Sequence, residues 1–157
     1  MRRVNLADPP LTYDDDPDGF HAGMFRFGPQ LGAEQTGASL YVLPPGQAVC
    51  PYHYEHAEEE WALVLDGTPS VRTPEGTERL APLDVLWFPR GPEGAHQLRN
   101  DSAEPARILM SSTVAFPGVT VYPDSDKVGV WTRDKADDVI VERSSTVDDF
   151  RGEAADH

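Results

Sequence analysis

Four side chains that can bind a metal through nitrogen or oxygen stand in two stretches of the sequence. The stretch PYHYEHAEEEWALVLDG, residues 51–67, contains His53, Glu55 and Glu60, and FPRGPEGAHQLRN, residues 88–100, contains His96. Imidazole and carboxylate groups bind transition metals such as iron, manganese, nickel and zinc, and the single cysteine leaves little scope for thiolate ligands. These residues predict one divalent transition metal held by His53, Glu55, Glu60 and His96.

The spacing in the first stretch has a physical reason. Alternate residues of a strand point to the same face, so His53 and Glu55 project together while Tyr54 projects away. Glu60 begins the apolar run that follows the turn, which lets it return beside them. Two carboxylates that face each other inside a protein repel, and a bound cation is the simplest way to neutralise them.

Other interpretations of these residues stay open. His56 lies three residues after His53 and faces the opposite side of a continuous strand, so it reaches the metal only if the strand breaks there. His53, Glu60 and His96 can also form a facial triad, with Glu55 as a nearby base. The non-functional interpretation is a solvated polar turn that binds no metal.

The elements that must position these side chains are short strands. Fifteen prolines and thirteen glycines interrupt the chain, and a pattern of short β-rich runs between such breaks is typical of a sandwich or barrel. The turn TPEGTE, residues 73–78, predicts a hairpin in which Gly76 takes a positive φ. The predicted strands are 24–28, 38–43, 61–66, 69–73, 84–88, 106–113, 119–122 and 138–142.

Two of the predicted strands are apolar on both faces. In WALVL (61–65), and in DVLWF (84–88) after its first residue, the residues that point to each face of the strand are apolar. A strand with one face in solvent would carry polar residues on that face. The outer face therefore needs a cover, from the terminal arms or from a second subunit. We expect a homodimer.

Both stretches resemble the sequence signatures of the cupins. Gly46, His53, Glu55, Glu60 and Gly67 are similar to the first cupin motif, and the second motif is matched by Pro89, Gly91, His96 and Asn100. The resemblance covers roughly residues 40–113. It implies a double-stranded β-helix, a jelly-roll barrel with a divalent metal inside, to which arms 1–37 and 114–157 add strands. The whole chain, 1–157, is predicted to be one domain whose last ten or so residues are frayed.

The sequence departs from the cupin pattern in three places. Glu55 replaces the second histidine of the first motif, and the Gly46–His53 and Gly91–His96 intervals are longer than usual. The longer intervals indicate adjusted loops. A set of two histidines and two glutamates is harder than the usual three histidines and one glutamate, which favours iron, manganese or nickel over copper.

Composition excludes several function classes. A formal net charge of −14 argues against nucleic acid as a partner. No apolar run is long enough to cross a bilayer, and the start MRRVNLADPP lacks a signal peptide's apolar segment. We expect a cytoplasmic protein without a membrane partner.

The fold that the resemblance implies does not select one function, because cupins include enzymes and non-catalytic modules. The first hypothesis is a metal-dependent enzyme of the dioxygenase or isomerase type that acts on a small organic substrate. The alternative is a binding or sensing module for a small ligand, with a structural metal or none.

Overall fold

The computed structural model describes residues 1–153, and nearly all of its regular structure is β-strand. The only α-helix among these residues, α1, is a single turn at Gly28–Leu31, and none of their helices is long and apolar enough to cross a membrane. The all-β prediction is therefore confirmed. The strands are β1 (Gly23–Arg26), β2 (Thr36–Leu43), β3 (Tyr54–Glu55), β4 (Glu60–Asp66), β5 (Ser70–Thr73), β6 (Gly76–Arg79), β7 (Val85–Phe88), β8 (Gln97–Arg99), β9 (Ala106–Thr113), β10 (Gly118–Tyr122), β11 (Lys127–Trp131) and β12 (Val139–Glu142).

The strands form three antiparallel sheets. Five strands pair in the order β1-β2-β9-β4-β7, four in the order β12-β11-β10-β3, and three in the order β6-β5-β8. The four-stranded sheet joins the C-terminal arm to the barrel. Its strands β10, β11 and β12 come from the arm, and β3 comes from the barrel. The N-terminal arm adds β1 to the large sheet.

Each predicted strand lies close to an observed one, and β1 differs at its end for a clear reason, whereas β6 and β11 are not among the predicted strands. The run at 24–28 was expected to continue to Gly28, but β1 ends at Arg26 because Phe27 begins a helical turn that has Pro29 at its start. The predicted hairpin is present between β5 and β6, where Gly76 has a φ of 136°. Of the tail expected to be frayed, residues 148–153 are exposed and 154–157 lie outside the described residues.

One apolar core fills the space between the sheets. It consists of buried side chains from six strands and one loop residue, Leu80: Leu43, Ala62, Val64, Val71, Leu80, Phe88, Leu98 and Ile108. Alternate residues of β4 supply Ala62 and Val64 to this core, and Glu60 shares their face because it lies two residues before Ala62. The first residue of β4 thus points its carboxylate towards the interior.

The outer face of the large sheet is covered along one half only. There Phe25, Phe27 and Leu40 form a second cluster, and Val4, Leu6 and Leu11 of the N-terminal arm pack against it. The guanidinium of Arg107 donates a hydrogen bond to the Leu6 carbonyl and holds the arm in place.

Along the other half the apolar residues stay exposed in the single chain. Trp61 is 47% exposed, Trp87 is 52% exposed, and their rings lie 6.4 Å apart. The terminal arms, one of the two covers expected for strands 61–65 and 84–88, therefore leave Trp61 and Trp87 exposed. The homodimer stays a prediction.

Candidate metal centre

The two histidines of the candidate site are joined through their backbones. The amide of His53 donates to the His96 carbonyl at 3.1 Å, and the amide of His96 donates to the His53 carbonyl at 2.8 Å. This pair is an isolated antiparallel bridge just before β3 and β8. Both imidazoles are buried, His53 at 7% exposure and His96 at 1%.

Glu60 completes a group of three converging side chains. Its Oε2 lies 3.6 Å from the Nε2 of His53 and 3.6 Å from the Nε2 of His96. One donor atom from each of these residues lies within 4.8 Å of the other two. The distances are those of a site that can hold one metal ion.

The second nitrogen of each imidazole fixes which atom faces the site. The Nδ1 of His96 lies 2.9 Å from the Gly94 carbonyl, and the Nδ1 of His53 lies 3.0 Å from the Pro51 carbonyl. A carbonyl oxygen only accepts, so each Nδ1 carries a hydrogen, and Nε2 is the nitrogen of each ring that faces Glu60. Backbone carbonyls orient metal-binding histidines in this way.

The ring of His96 is held further by packing. Phe88, opposite Glu60 in β7, stacks on it with ring centroids 3.6 Å apart and an angle of 6° between the planes. Among the described residues, the Nε2 of His96 is the one buried side-chain nitrogen or oxygen without a hydrogen-bond partner. An unpaired buried polar atom is costly, and a cation between these three acceptors removes that cost. The residues present therefore fit a divalent metal.

The pKa values describe how protons are shared in the protein without a metal. Burial, and then the nearby His53, lower the pKa of His96 to about 4. Burial also works to lower the pKa of His53, but Cys50 and Glu60 outweigh it and raise that pKa well above its usual value. For Glu60, burial favours a higher pKa, yet the hydrogen bond to His53 and the charges of both imidazoles lower it. A metal would take the place of the proton that His53 and Glu60 share.

Glu55 lies beside the three residues rather than among them. Its Oε1 is 3.9 Å from the Nε2 of His53, which agrees with the expectation that residues two apart in a strand point the same way. The same oxygen accepts a hydrogen bond of 2.7 Å from the Thr120 hydroxyl. Burial raises the pKa of Glu55 to about 7, although the Thr120 hydrogen bond acts in the opposite direction. Whether Glu55 binds the metal stays a prediction.

Two other polar residues of the first stretch, and Asn100 of the second, lie apart from the three donors. His56 is exposed, and its ring packs edge-on against Tyr54 at 5.3 Å. Glu58 is partly buried, and its Oε1 accepts a hydrogen bond of 3.0 Å from the Ala115 amide. Asn100 is fully buried in a turn, where its side chain donates to the Leu43 and Glu104 carbonyls.

A pocket of about 850 Å³ reaches the candidate site from one end of the large sheet. His53 and Glu60 contribute to its lining, and Tyr41, Met110 and Trp131 supply apolar wall. Trp131 and the neighbouring 132–138 segment belong to the C-terminal arm, for which the sequence offered no motif. The volume suits a small organic molecule.

Comparison with known proteins agrees with this geometry. A family profile described as Cupin domain matches residues 39–112, which include all four candidate ligands. Residues 39–112 therefore form a cupin domain. The jelly-roll cupin fold expected from the two motifs is thereby confirmed. No curated protein sequence matches this chain.

Several solved structures are similar over most of the chain. One from Silicibacter pomeroyi, named sugar phosphate isomerase from a cupin superfamily, has a TM-score of 0.80 and 22% identity over 92% of this chain and 95% of that one. A putative sugar phosphate isomerase from Acidithiobacillus ferrooxidans has a TM-score of 0.79 and 22% identity over 90% of this chain and 89% of that one. The polyketide cyclase RemF from Streptomyces resistomycificus has a TM-score of 0.62 and 21% identity, covering 75% of this cupin and 83% of RemF. At these identities the likeness shows the fold.

Proposed function

We propose that this cupin is a metal-dependent enzyme of the isomerase type that acts on a small organic molecule bearing an anionic group. The observation that carries the metal is the buried Nε2 of His96, which faces Glu60 and His53 without a hydrogen-bond partner among the described residues. His53, Glu60 and His96 would hold the ion, which would be iron, manganese, nickel or zinc. When bound, it would supply a positive centre that polarises an oxygen of the substrate.

The pocket favours a metal that acts on a small organic substrate over a metal with only a structural role. It opens directly onto two of the three proposed ligands, so a molecule in the pocket can reach the metal. An isomerase moves a proton between neighbouring atoms of its substrate, and a carboxylate is a suitable acceptor. Glu55, beside His53, is the carboxylate that we assign to this role.

Three cations around the pocket support an anionic substrate. Arg26 is the last residue of β1, and Arg133 and Lys135 follow β11 in the C-terminal arm. None of the three makes an ion pair with another residue in the range 1–153. The guanidinium of Arg133 lies 5.0 Å from the ring centre of Phe116, which also lines the pocket.

The carboxylates that share this pocket are already engaged, apart from one. Glu58 accepts from the Ala115 amide, and Asp138 accepts a hydrogen bond of 2.6 Å from the Thr132 amide. Glu60 faces the two histidines. Glu34, at the rim, is the remaining acidic group of the lining. A phosphate or carboxylate on the substrate would therefore meet cations that have no competing partner of their own.

The names of two similar structures make sugar phosphates the first compounds to test. Metal content is measured first, by elemental analysis of untagged protein purified without chelators, for wild type and for His96→Ala. We expect about one equivalent of metal in wild type and loss of it in the variant. Metal-loaded protein is then incubated in deuterium oxide with phosphorylated aldoses, and proton NMR follows isomer formation and exchange of the hydrogen beside the carbonyl.

A matched pair of variants separates the metal from the anionic group. Arg133→Gln should keep its metal and weaken the binding of an aldose phosphate by about tenfold, the effect of losing one charged hydrogen bond. Its affinity for the same aldose without phosphate should not change. Wild type that binds no divalent metal would refute the enzyme proposal. The binding module would be indicated instead by two results together: an aldose phosphate that binds equally well after the metal is removed, and no turnover when the metal is present.

A further inference from the structure

A chain of hydrogen bonds runs from the C-terminal arm to Glu55. The indole Nε1 of Trp131 lies 2.6 Å from the Thr120 hydroxyl, which lies 2.7 Å from the Oε1 of Glu55. Thr120 is 3% exposed and stands directly opposite Glu55 in the pairing of β10 with β3. Trp131 is the last residue of β11, the strand that pairs with β10 on its other side.

The direction of this chain follows from its donors and acceptors when Glu55 is ionised. An indole N–H only donates, so the Thr120 hydroxyl accepts from Trp131. The hydroxyl has one hydrogen, and it is left to donate that hydrogen to the Glu55 carboxylate. Each bond therefore reinforces the next, and both hold the Oε1 of Glu55 at the β10 side of the site.

That position separates Glu55 from the other carboxylate. The Oε2 of Glu60 lies 3.6 Å from both Nε2 atoms, and the three donor atoms of His53, Glu60 and His96 lie within 4.8 Å of one another. The group so formed does not include Glu55, whose Oε1 lies 3.9 Å from the Nε2 of His53. The Glu55 carboxylate is close enough to form a hydrogen bond with a substrate held at the metal, and in this structure it accepts a hydrogen bond from Thr120.

We propose that Thr120 and Trp131 are positioning residues that hold Glu55 outside the metal's own ligands, so that the protein supplies three ligands instead of four. This inference rests on the metal binding proposed above. Three protein ligands leave more coordination positions for substrate and water than four do. Glu55 then stays available as a hydrogen-bond and proton acceptor next to those positions.

The position of Trp131 adds a link to the substrate. Trp131 lines the pocket while its Nε1 holds Thr120, so the same side chain that orients Glu55 would contact a molecule bound in the pocket. A ligand that moves the indole would change the hydrogen bond that Thr120 gives to Glu55. The arm that carries no recognisable motif thereby takes part in the site.

Cobalt(II) is the probe for this proposal, because its visible absorption changes with the number and kind of its ligands. Spectra and dissociation constants are measured for full-length wild type, Glu55→Gln, Thr120→Val and Thr120→Ser. If Glu55 is not a ligand, Glu55→Gln keeps one equivalent of cobalt and the wild-type spectrum. Thr120→Val frees the carboxylate to reach the metal, so the spectrum should change, and the added charged ligand should make cobalt bind more tightly, on the order of tenfold.

Two controls make the result specific. Thr120→Ser keeps the hydroxyl and should behave as wild type, and the double variant Thr120→Val/Glu55→Gln should lose the change seen in Thr120→Val. Thermal unfolding of the metal-free variants checks that each is folded. The proposal is overturned if Glu55→Gln alters the cobalt spectrum as the loss of a ligand would, or if Thr120→Val leaves the spectrum and the affinity unchanged. Wild type that takes up no cobalt would refute the metal site itself and this inference with it.

Discussion

Gly94 provides the sharpest test of how the barrel orients His96. It ends the 3-10 turn Pro92–Gly94, and its carbonyl accepts the hydrogen of the His96 Nδ1 at 2.9 Å. A Cβ added at this position would stand 1.8 Å from the Pro89 carbonyl oxygen and 2.8 Å from its carbon. Both are backbone atoms, so no side-chain rotation relieves the overlap.

The magnitude follows from that overlap. Overpacking in a well-packed region costs about 1–3 kcal/mol, and an approach to backbone this close places Gly94→Ala at the upper end. About 3 kcal/mol corresponds to a fall in Tm of about 6–12 °C for a chain of this size. The turn has to shift and carry the Gly94 carbonyl away from His96, which should weaken metal binding by about 10- to 100-fold, as for other groups that orient a ligand.

Two measurements check this prediction, and Glu93→Ala is the control. Glu93 is exposed in the same turn, so its truncation should alter neither quantity. Thermal unfolding of the metal-free proteins gives the stability change, and competition with a chromophoric chelator gives the metal affinity. Gly94→Ala with a Tm within 2 °C or so of wild type and an unaltered metal affinity would show that the turn does not orient His96 as described.

Three further predictions concern the rest of the molecule. Asn100→Ala should destabilise the protein by about 3 kcal/mol, measured by urea unfolding, because it removes several buried hydrogen bonds; a loss below about 1 kcal/mol would contradict this. If the exposed face of β4 and β7 pairs two copies, light scattering should give twice the 17.3 kDa chain mass for wild type and a monomer for Trp87→Lys, and a monomeric wild type would rule the homodimer out. Hydrogen bonds from Ser70 and Arg99 lower the pKa of Asp101, so this carboxylate stabilises the fold above its unfolded pKa of about 3.9 and loses that effect as pH falls through its folded value. Acid unfolding of Asp101→Asn should show a smaller difference from wild type at low pH than at neutral pH; a constant difference would contradict the assignment.

The sequence contained enough to anticipate the fold and the central residues of the site. Apolar β-rich runs between prolines and glycines identified β2, β4, β9 and β10 closely, since burial makes their pattern strong. The motif spacing selected His53, Glu60 and His96, which the structure brings together. The strands β6 and β11 were missed because GTER and KVGVW are too polar or too rich in glycine to stand out as apolar runs.

The surroundings of Glu55 were beyond reach of the sequence for a different reason. Its hydrogen-bond partner, Thr120, is 65 residues away, and an isolated threonine in VTVY has no spacing that marks it. The sequence does not mark Trp131 as a site residue either, because a tryptophan at the end of a strand most simply belongs to the core or to an interface. Only the antiparallel pairing of β3 with β10 brings these groups into register.

The backbone bridge between His53 and His96 has a consequence for the lifetime of a bound metal. Each of these residues donates to and accepts from the other, so the two amides are protected by one and the same contact. An opening that breaks this contact would release both imidazoles at once, whereas fraying elsewhere in the barrel would release neither. The residence time of the metal should therefore follow the hydrogen-exchange rate of these two amides, and the site should empty in a single kinetic step.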